Sequence, residues 1–216
     1  MTKNRASFIC LFLVMFLIGI AGAEDLKPIK LPLPQIDGGK PLMQALKNRA
    51  SSREFNPEPL PPQVLSNLLW AAYGINRPDI GKRTVPSALN WQEIDLYVSM
   101  AGGLYLYDAK TNQLEPITNE DIRSLTGKQP FVKTAPLNLI MVADYTRMGK
   151  STPEEKEAFA HADAAFIGQN VYLFCASEGL ATVFRASIDK PALAKAMKLR
   201  ESQKILFSQT VGYGKK

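Results

Sequence analysis

A chain of 216 residues with 46% hydrophobic and 21% charged residues is long enough to bury a full core in one domain and too apolar for wholesale disorder. Its formal net charge of +6 is modest and gives no argument for a nucleic-acid partner. A single histidine, His161, and only two cysteines, Cys10 and Cys175, exclude a Cys/His zinc constellation, so no metal site is expected.

Lys3 and Arg5 precede an unbroken apolar run from Phe8 to Ile18, and Ala21-Gly22-Ala23 supplies a small-x-small cleavage site. This pattern predicts a secretory signal peptide over residues 1–23 and a periplasmic or secreted protein. The run is shorter than the roughly 20 residues of a spanning helix, so no membrane contact beyond the export signal is expected; a retained N-terminal anchor is the alternative. Cleavage removes Lys3, Arg5 and Cys10 and leaves Cys175 as the sole thiol. An exported chain without a disulfide must then rely on its core or on oligomerisation.

Residues 24–40 read as an extended arm, because Pro28, Pro32, Pro34 and Gly38-Gly39 deny them helix and central strand alike. The alternating Ile29, Leu31 and Leu33 predict that the arm lies against the body or against a second subunit. The folded domain is expected over 41–216. Pro41 suits the first position of a helix whose Leu42, Ala45 and Leu46 share a face, and that helix ends near Arg49-Ala50-Ser51-Ser52-Arg53. Two guanidiniums and two hydroxyls within five residues can surround a multiply charged oxyanion such as a cofactor phosphate. An exposed polar turn is the competing reading.

A core helix follows Pro61-Pro62, with Val64, Leu65, Leu68, Leu69 and Ala72 recurring at helical spacing and Gly74 at the stop. The loop from Gly81 to Gln92 then leads into an alternating strand, Ile94 to Met100. Ser87, Asn90 and Gln92 can each donate and accept, which suits the edge of a flat heterocycle, whereas Lys82 and Arg83 suit an anion. A self-capped turn is about as good a reading of this loop alone. Leu104 to Tyr107 and Gln113 to Ile117 read as a hairpin. Thr118 and Asp121 suggest a capping box opening a short helix to Gly127, and the apolar run Pro136 to Ala143 a strand buried on both faces.

Gly149-Lys150-Ser151-Thr152 imitates the end of a phosphate-binding loop, but Asp144 stands where that loop needs its first glycine. Thr152, Pro153 and Glu155 instead predict a helix start with a capping box. The helix should reach about Ser177, with Phe159, Ala162, Phe166, Asn170, Leu173 and Ser177 on one face, small Ala164, Ala165 and Gly168 admitting a close neighbour, and Gly179 as the stop. It is either the central helix or a dimer interface. His161 and Asp163 point to different sides of it and form no catalytic pair; Cys175 reads as a core thiol. A short strand or loop at Ala181 to Arg185, a helix capped by Asp189 and a strand from Lys204 to Val211 complete the chain.

Three separated segments together resemble the nitroreductase family: Arg49, Ser51 and Arg53 with Phe55; Pro86-Ser87-x-x-Asn90-x-Gln92 entering a strand; and Gln169-Asn170 in a long helix ending at Glu178-Gly179-Leu180. Val211-Gly212-Tyr213 is similar to that family's last strand. The segments Arg83 to Ala88 and Gly103 to Tyr107 look most like the branch containing the azoline-forming dehydrogenases of peptide maturation. The resemblance implies an α+β, nitroreductase-like fold, with a central mixed or antiparallel sheet flanked by helices, a long central helix, and a homodimer holding FMN in a groove between subunits. By motif position, Arg49, Ser51 and Arg53 would hold the FMN phosphate and ribityl chain, with Lys215 joining the phosphate. Ser87 and Asn90 would face the ring, with Pro86 shaping the loop and Gln92 close behind. The implied activity is electron transfer through flavin N5 between a donor, NAD(P)H being a candidate, and a small organic acceptor. No side-chain acid or base is assigned. The alternative on the same fold is a flavin or small-ligand binding protein without turnover.

Overall fold

The structure, a computed structural model, describes residues 26–215; the signal-peptide reading and Lys216 lie outside them. Nine strands and four α-helices are present in that span: β1 (Ile29–Lys30), α1 (Leu42–Asn48), α2 (Pro62–Tyr73), β2 (Ile75–Arg77), β3 (Lys82–Arg83), β4 (Ile94–Met100), β5 (Gly103–Asp108), β6 (Gln113–Thr118), β7 (Leu137–Asp144), α3 (Pro153–Glu178), β8 (Ala181–Arg185), α4 (Lys190–Ala196) and β9 (Gln203–Gly212). Seven strands form one sheet in the order β1-β6-β5-β4-β7-β9-β8, and every neighbouring pair in it is antiparallel. The short β2 and β3 form a separate ribbon. This is the α+β fold that the motifs imply, with the sheet antiparallel throughout.

All eight residues of β7 are buried because the sheet has helices on both sides. Side chains alternate along the strand: Leu139 and Met141 join the core beneath α2 and α3, while Ile140 and Val142 join the one beneath α4. The continuous apolar run therefore reports two-sided burial, without parallel pairing. The arm lies on its own subunit. β1 extends the sheet edge beside β6, Leu31 is buried, and the amides of Gln35 and Lys40 donate to Asn67 Oδ1 (2.8 Å) and Ser177 Oγ (2.7 Å).

Helix α3 begins as its sequence dictates. Thr152 Oγ1 accepts from Glu155 N, Glu155 Oε2 accepts from Thr152 N, and Gly179 closes the helix at φ 73°. Its buried face differs from the expected one. Ala160, Asp163, Ala164, Ile167, Gly168, Val171 and Cys175 face inward, whereas Phe159 and Phe166 remain 42% and 45% exposed. The small residues decide this, because they let the helix backbone approach the sheet more closely than a phenylalanine stripe would: a Cβ on Gly168 would stand 2.5 Å from the Phe184 ring. One local expectation also changes. Thr118 and Asp121 open no α-helix; Asp121 pairs with Arg123 at 2.7 Å and only a single 3-10 turn, Arg123–Leu125, forms. Gly74 ends α2 as expected, in extended backbone, and glycine is needed there because a Cβ would meet the Trp70 ring at 2.5 Å.

Replacing Gly168 by leucine should destabilise the fold by about 1–3 kcal/mol through overpacking. This is measured as a lower urea midpoint, and an unchanged midpoint would contradict the close approach.

Candidate active site

The first cluster forms where α1 gives way to extended chain. Arg49 caps α1 with ψ 120°, so the next residues run alongside the sheet edge instead of continuing the helix. Ser52 N donates to Thr182 O of β8 (2.9 Å), Asn56 N to Tyr213 O (2.8 Å) and Lys215 N to Glu54 O (3.4 Å), with buried Phe55 bridged to Gly214. These bonds bring Lys215 to Glu54, the residue after Arg53, from the far end of the chain. Ser51 Oγ and Tyr172 Oη on α3 lie 2.7 Å apart, and the Arg49 guanidinium sits over the Tyr172 ring at 5.3 Å. Among the described residues, Arg49, Arg53 and Lys215 make no ion pair, so their charges are uncommitted within the chain and can serve an anion. Tyr172, which also accepts from Phe184 N (3.0 Å), was not singled out by the sequence, where it is one more aromatic in a mostly apolar helix.

The second cluster is the loop between β3 and β4. Leu89 (φ 48°), Asn90 (φ 58°) and Gln92 (φ 47°) all occupy the left-handed region, which for a leucine is a marked departure and costs on the order of 1 kcal/mol or more. Leu89 is also 81% exposed, so packing does not hold it there. Arg77, Lys82, Arg83, Pro86, Ser87 and Asn90 help to line a cavity of about 420 Å³ beside this loop. Several of its polar side chains are already engaged. Arg83 donates to Gln92 Oε1 and Tyr73 O, both at 2.8 Å, and stacks 4.0 Å above the Tyr73 ring. Gln92 Nε2 donates to Gly81 O and Asn90 Oδ1. Gln92 and Arg83 therefore frame the cavity, while Ser87 and Asn90 line it, with Pro86 at its entrance into the loop.

Beneath the loop lies a feature with no sequence signal, a pair of buried carboxyl groups, Glu93 and Asp163. Asp163 Oδ2 accepts from Ala88 N (3.0 Å), and the Ser87 hydroxyl, itself accepting from Gln92 N (2.8 Å), donates to Glu93 Oε2 (3.3 Å). Burial, reinforced by the neighbouring Asp163 carboxyl, pushes Glu93 up to about 7. Asp163 thus carries a loop-holding role that its spacing from His161 did not suggest. Cys175 is buried and its thiol is pushed up by that burial, which suits the core role expected of it. Asp144 is held by Arg200 at 2.6 Å and accepts from Thr146, so the stretch after β7 is no phosphate loop.

The two clusters sit apart within one subunit. The loop is anchored to α3 at Asp163 and the cationic segment at Tyr172, positions about 14 Å apart along the helix axis. Neither Arg49, Ser51 nor Arg53 lines the cavity beside the loop. Between and around the clusters the surface is apolar: Leu42 and Met43 of α1 are 63% and 75% exposed, and Phe159 and Phe166 of α3 nearly half.

With this geometry in hand, known proteins supply the context. The Nitroreductase family profile matches residues 46–213. A nitroreductase-like protein of Methanocaldococcus jannaschii is 30% identical over 189 residues, covering 83% of this chain and 94% of the relative. A crystal structure of a nitroreductase-like protein from Ralstonia eutropha superposes with a TM-score of 0.84 at 44% identity, covering 88% of this chain and 90% of that one. A chain of the E. coli microcin synthetase McbBCD complex shares the fold at 17% identity, with a TM-score of 0.67 over 97% of this chain and 85% of that one. Since the profile takes in both the cationic segment and the strained loop, and the 44% identical structure spans most of each chain, the protein belongs to the nitroreductase family.

Proposed function

We propose that the protein is an exported FMN-dependent oxidoreductase, working as a homodimer that passes electrons from a donor to a small organic acceptor. The observation that carries this reading is the Arg49 guanidinium over Tyr172 beside the Ser51–Tyr172 contact, with Arg53 and Lys215 carried on the adjoining paired segments and none of the three ion-paired among the described residues. Such a set fits a phosphate monoester. Family members generally use FMN and NAD(P)H. When bound, FMN supplies hydride transfer at N5. The chain's own residues then have separable tasks. Arg49, Arg53 and Lys215 neutralise the phosphate, Ser51 contributes a hydroxyl held by Tyr172, and Ser87 and Asn90 meet the ring from a loop shaped by Pro86 and Gln92. No side chain is assigned as acid or base. The Arg83 to Ala88 and Gly103 to Tyr107 segments support kinship with the azoline-forming branch.

The separation of the clusters supports a composite site. α3 carries exposed Phe159 and Phe166, and α1 exposed Leu42 and Met43, and exposed apolar groups of this kind mark protein–protein contacts when they form one patch. Pairing two copies across this band covers it and lets the loop of one subunit serve the cationic segment of the other.

Reconstitution with FMN should give a flavin visible spectrum that bleaches anaerobically with a donor such as NAD(P)H and recovers with an acceptor. A protein that takes up no flavin refutes the reading, and one that binds flavin without bleaching by any of a panel of donors is a binding protein. Arg49→Ala should weaken FMN at least tenfold, about 1.4 kcal/mol, as read by flavin fluorescence. Phe166→Glu should shift the protein from dimer to monomer in sedimentation and lower its flavin occupancy; a flavin-loaded monomer would contradict the composite site. Export is checked by the N-terminal sequence of the protein from its native host, expected to begin after Ala23.

A further inference from the structure

We propose that Glu93 is a positioning residue that shares a single proton with Asp163, and so clamps the strained loop and commits the Ser87 hydroxyl to accept a hydrogen bond from the ligand. The inference rests on the reading of that loop as facing the ring. It begins with an atom that has no partner: Glu93 Oε1 is buried without a hydrogen-bond donor, and the group beside it is the Asp163 carboxyl. Ionised carboxylates only accept. Two of them facing each other in a dry site repel, and one proton between them both removes a charge and supplies the missing donor.

No nearby cation offers compensation. Glu93 is approached by Asp163 from α3, Ser87 from the loop, Tyr73 from α2 and Tyr145 from the turn after β7. The nearest cations are engaged elsewhere: Arg83 on Tyr73 O and Gln92 Oε1, and Arg147 on Gln92 O and in an ion pair with Asp95. Neither Glu93 nor Asp163 has an ion-pair partner among the described residues. Burial and the Asp163 carboxyl push the Glu93 carboxyl up to about 7, so a shared proton is retained below neutrality.

The proton has two consequences for the loop. With it in place between the carboxyls, Asp163 Oδ2 continues to hold Ala88 N, and Glu93 Oε2 continues to take the Ser87 hydrogen. These two anchors act on Leu89, Asn90 and Gln92, which lie in left-handed backbone, alongside the turn's own bonds from Asn90 N to Ser87 O and Trp91 N to Ala88 O and those of the Gln92 side chain. Second, the Ser87 hydroxyl has one hydrogen and two lone pairs. Its hydrogen goes to Glu93 and one lone pair takes Gln92 N. A single lone pair is left for the cavity, so Ser87 selects an N–H of a heterocyclic ligand over a carbonyl. Loss of the proton leaves two buried charges, whose repulsion loosens the clamp.

The sign of the pH effect follows. A carboxyl raised in the folded, ligand-ready state binds its proton more tightly there, so ligand binding is linked to proton retention and weakens as pH rises through about 7. The test uses the full mature chain and FMN as probe, between pH 7 and 9, where the FMN phosphate is already ionised. Wild-type affinity, read by flavin fluorescence, should fall by up to about tenfold per pH unit. Glu93→Gln imitates the protonated acid, with an amide N–H for Asp163 and a carbonyl for Ser87, and should bind FMN with a flat profile over the same range. Glu93→Ala should bind weakly at every pH. In the ligand-free protein, an infrared band of a protonated carboxyl should be present at pH 6, vanish by pH 9 and be absent from Glu93→Gln. A wild-type profile as flat as that of Glu93→Gln, or the lack of the band at pH 6, overturns the proposal. Because the band is read without flavin, a protein that binds no FMN yet shows the band would refute the cofactor assignment and leave the shared proton standing.

Discussion

The approach of α3 to the sheet governs where the functional groups lie. A helix of 26 residues is about 39 Å long, enough to pass beneath both clusters. It can lie flat on the strands only because Ala160, Ala164 and Gly168 present almost no side chain there. The same rotation that turns the small face inward sends Asp163 under the loop and sets Tyr172 against Ser51. It also leaves Phe159 and Phe166 outside. Packing of the core, the placing of the site and the apolar outer band are therefore one geometric choice.

Two buried ionic groups of opposite sign are handled differently. Arg185, on β8, is buried without a carboxylate, and its two terminal nitrogens donate to neutral acceptors, Thr126 O, Asn138 Oδ1, Ser208 Oγ and Thr210 Oγ1 at 2.7–3.0 Å, while Nε has no partner. Burial lowers the guanidinium to about 10, which leaves it charged at neutrality. That seam crosses β7, β8 and β9 and ties the sheet edge on which the cationic segment rests. Glu93 and Asp163 have no comparable ring of donors, so their charge is relieved by a proton. One arrangement is permanent and the other responds to pH, and the responsive one lies under the backbone with the most strain.

How much of this was legible in the sequence depended on the range of the interaction. The capping box of Thr152 and Glu155, the hairpin of β5 and β6 and the two-sided burial of β7 are readable because they are settled within a few residues, by hydrogen bonds to the local backbone or by strand periodicity. The Thr118–Asp121 capping box misled because a nearer partner, Arg123, captured the aspartate. The face of α3 misled because hydrophobicity alone ranks phenylalanine above alanine for burial, whereas the contact was decided by how near two backbones could come.

What the chain determined by itself, then, was its inventory of parts: the order of helices and strands, a cationic Arg49 to Arg53 segment, a polar Ser87 to Gln92 loop, and the motif spacing that marks the nitroreductase family. Only the tertiary structure decided which of those parts meet. It brought Lys215 to Glu54, next to Arg53 in the chain, through the pairing of Phe55 with Gly214, withdrew Arg83 and Gln92 into a frame, and placed Glu93 against Asp163 from 70 residues away. The reason is physical: local spacing dictates backbone hydrogen bonds, but the charge state of a buried carboxyl depends on whatever distant side chain the fold presses against it.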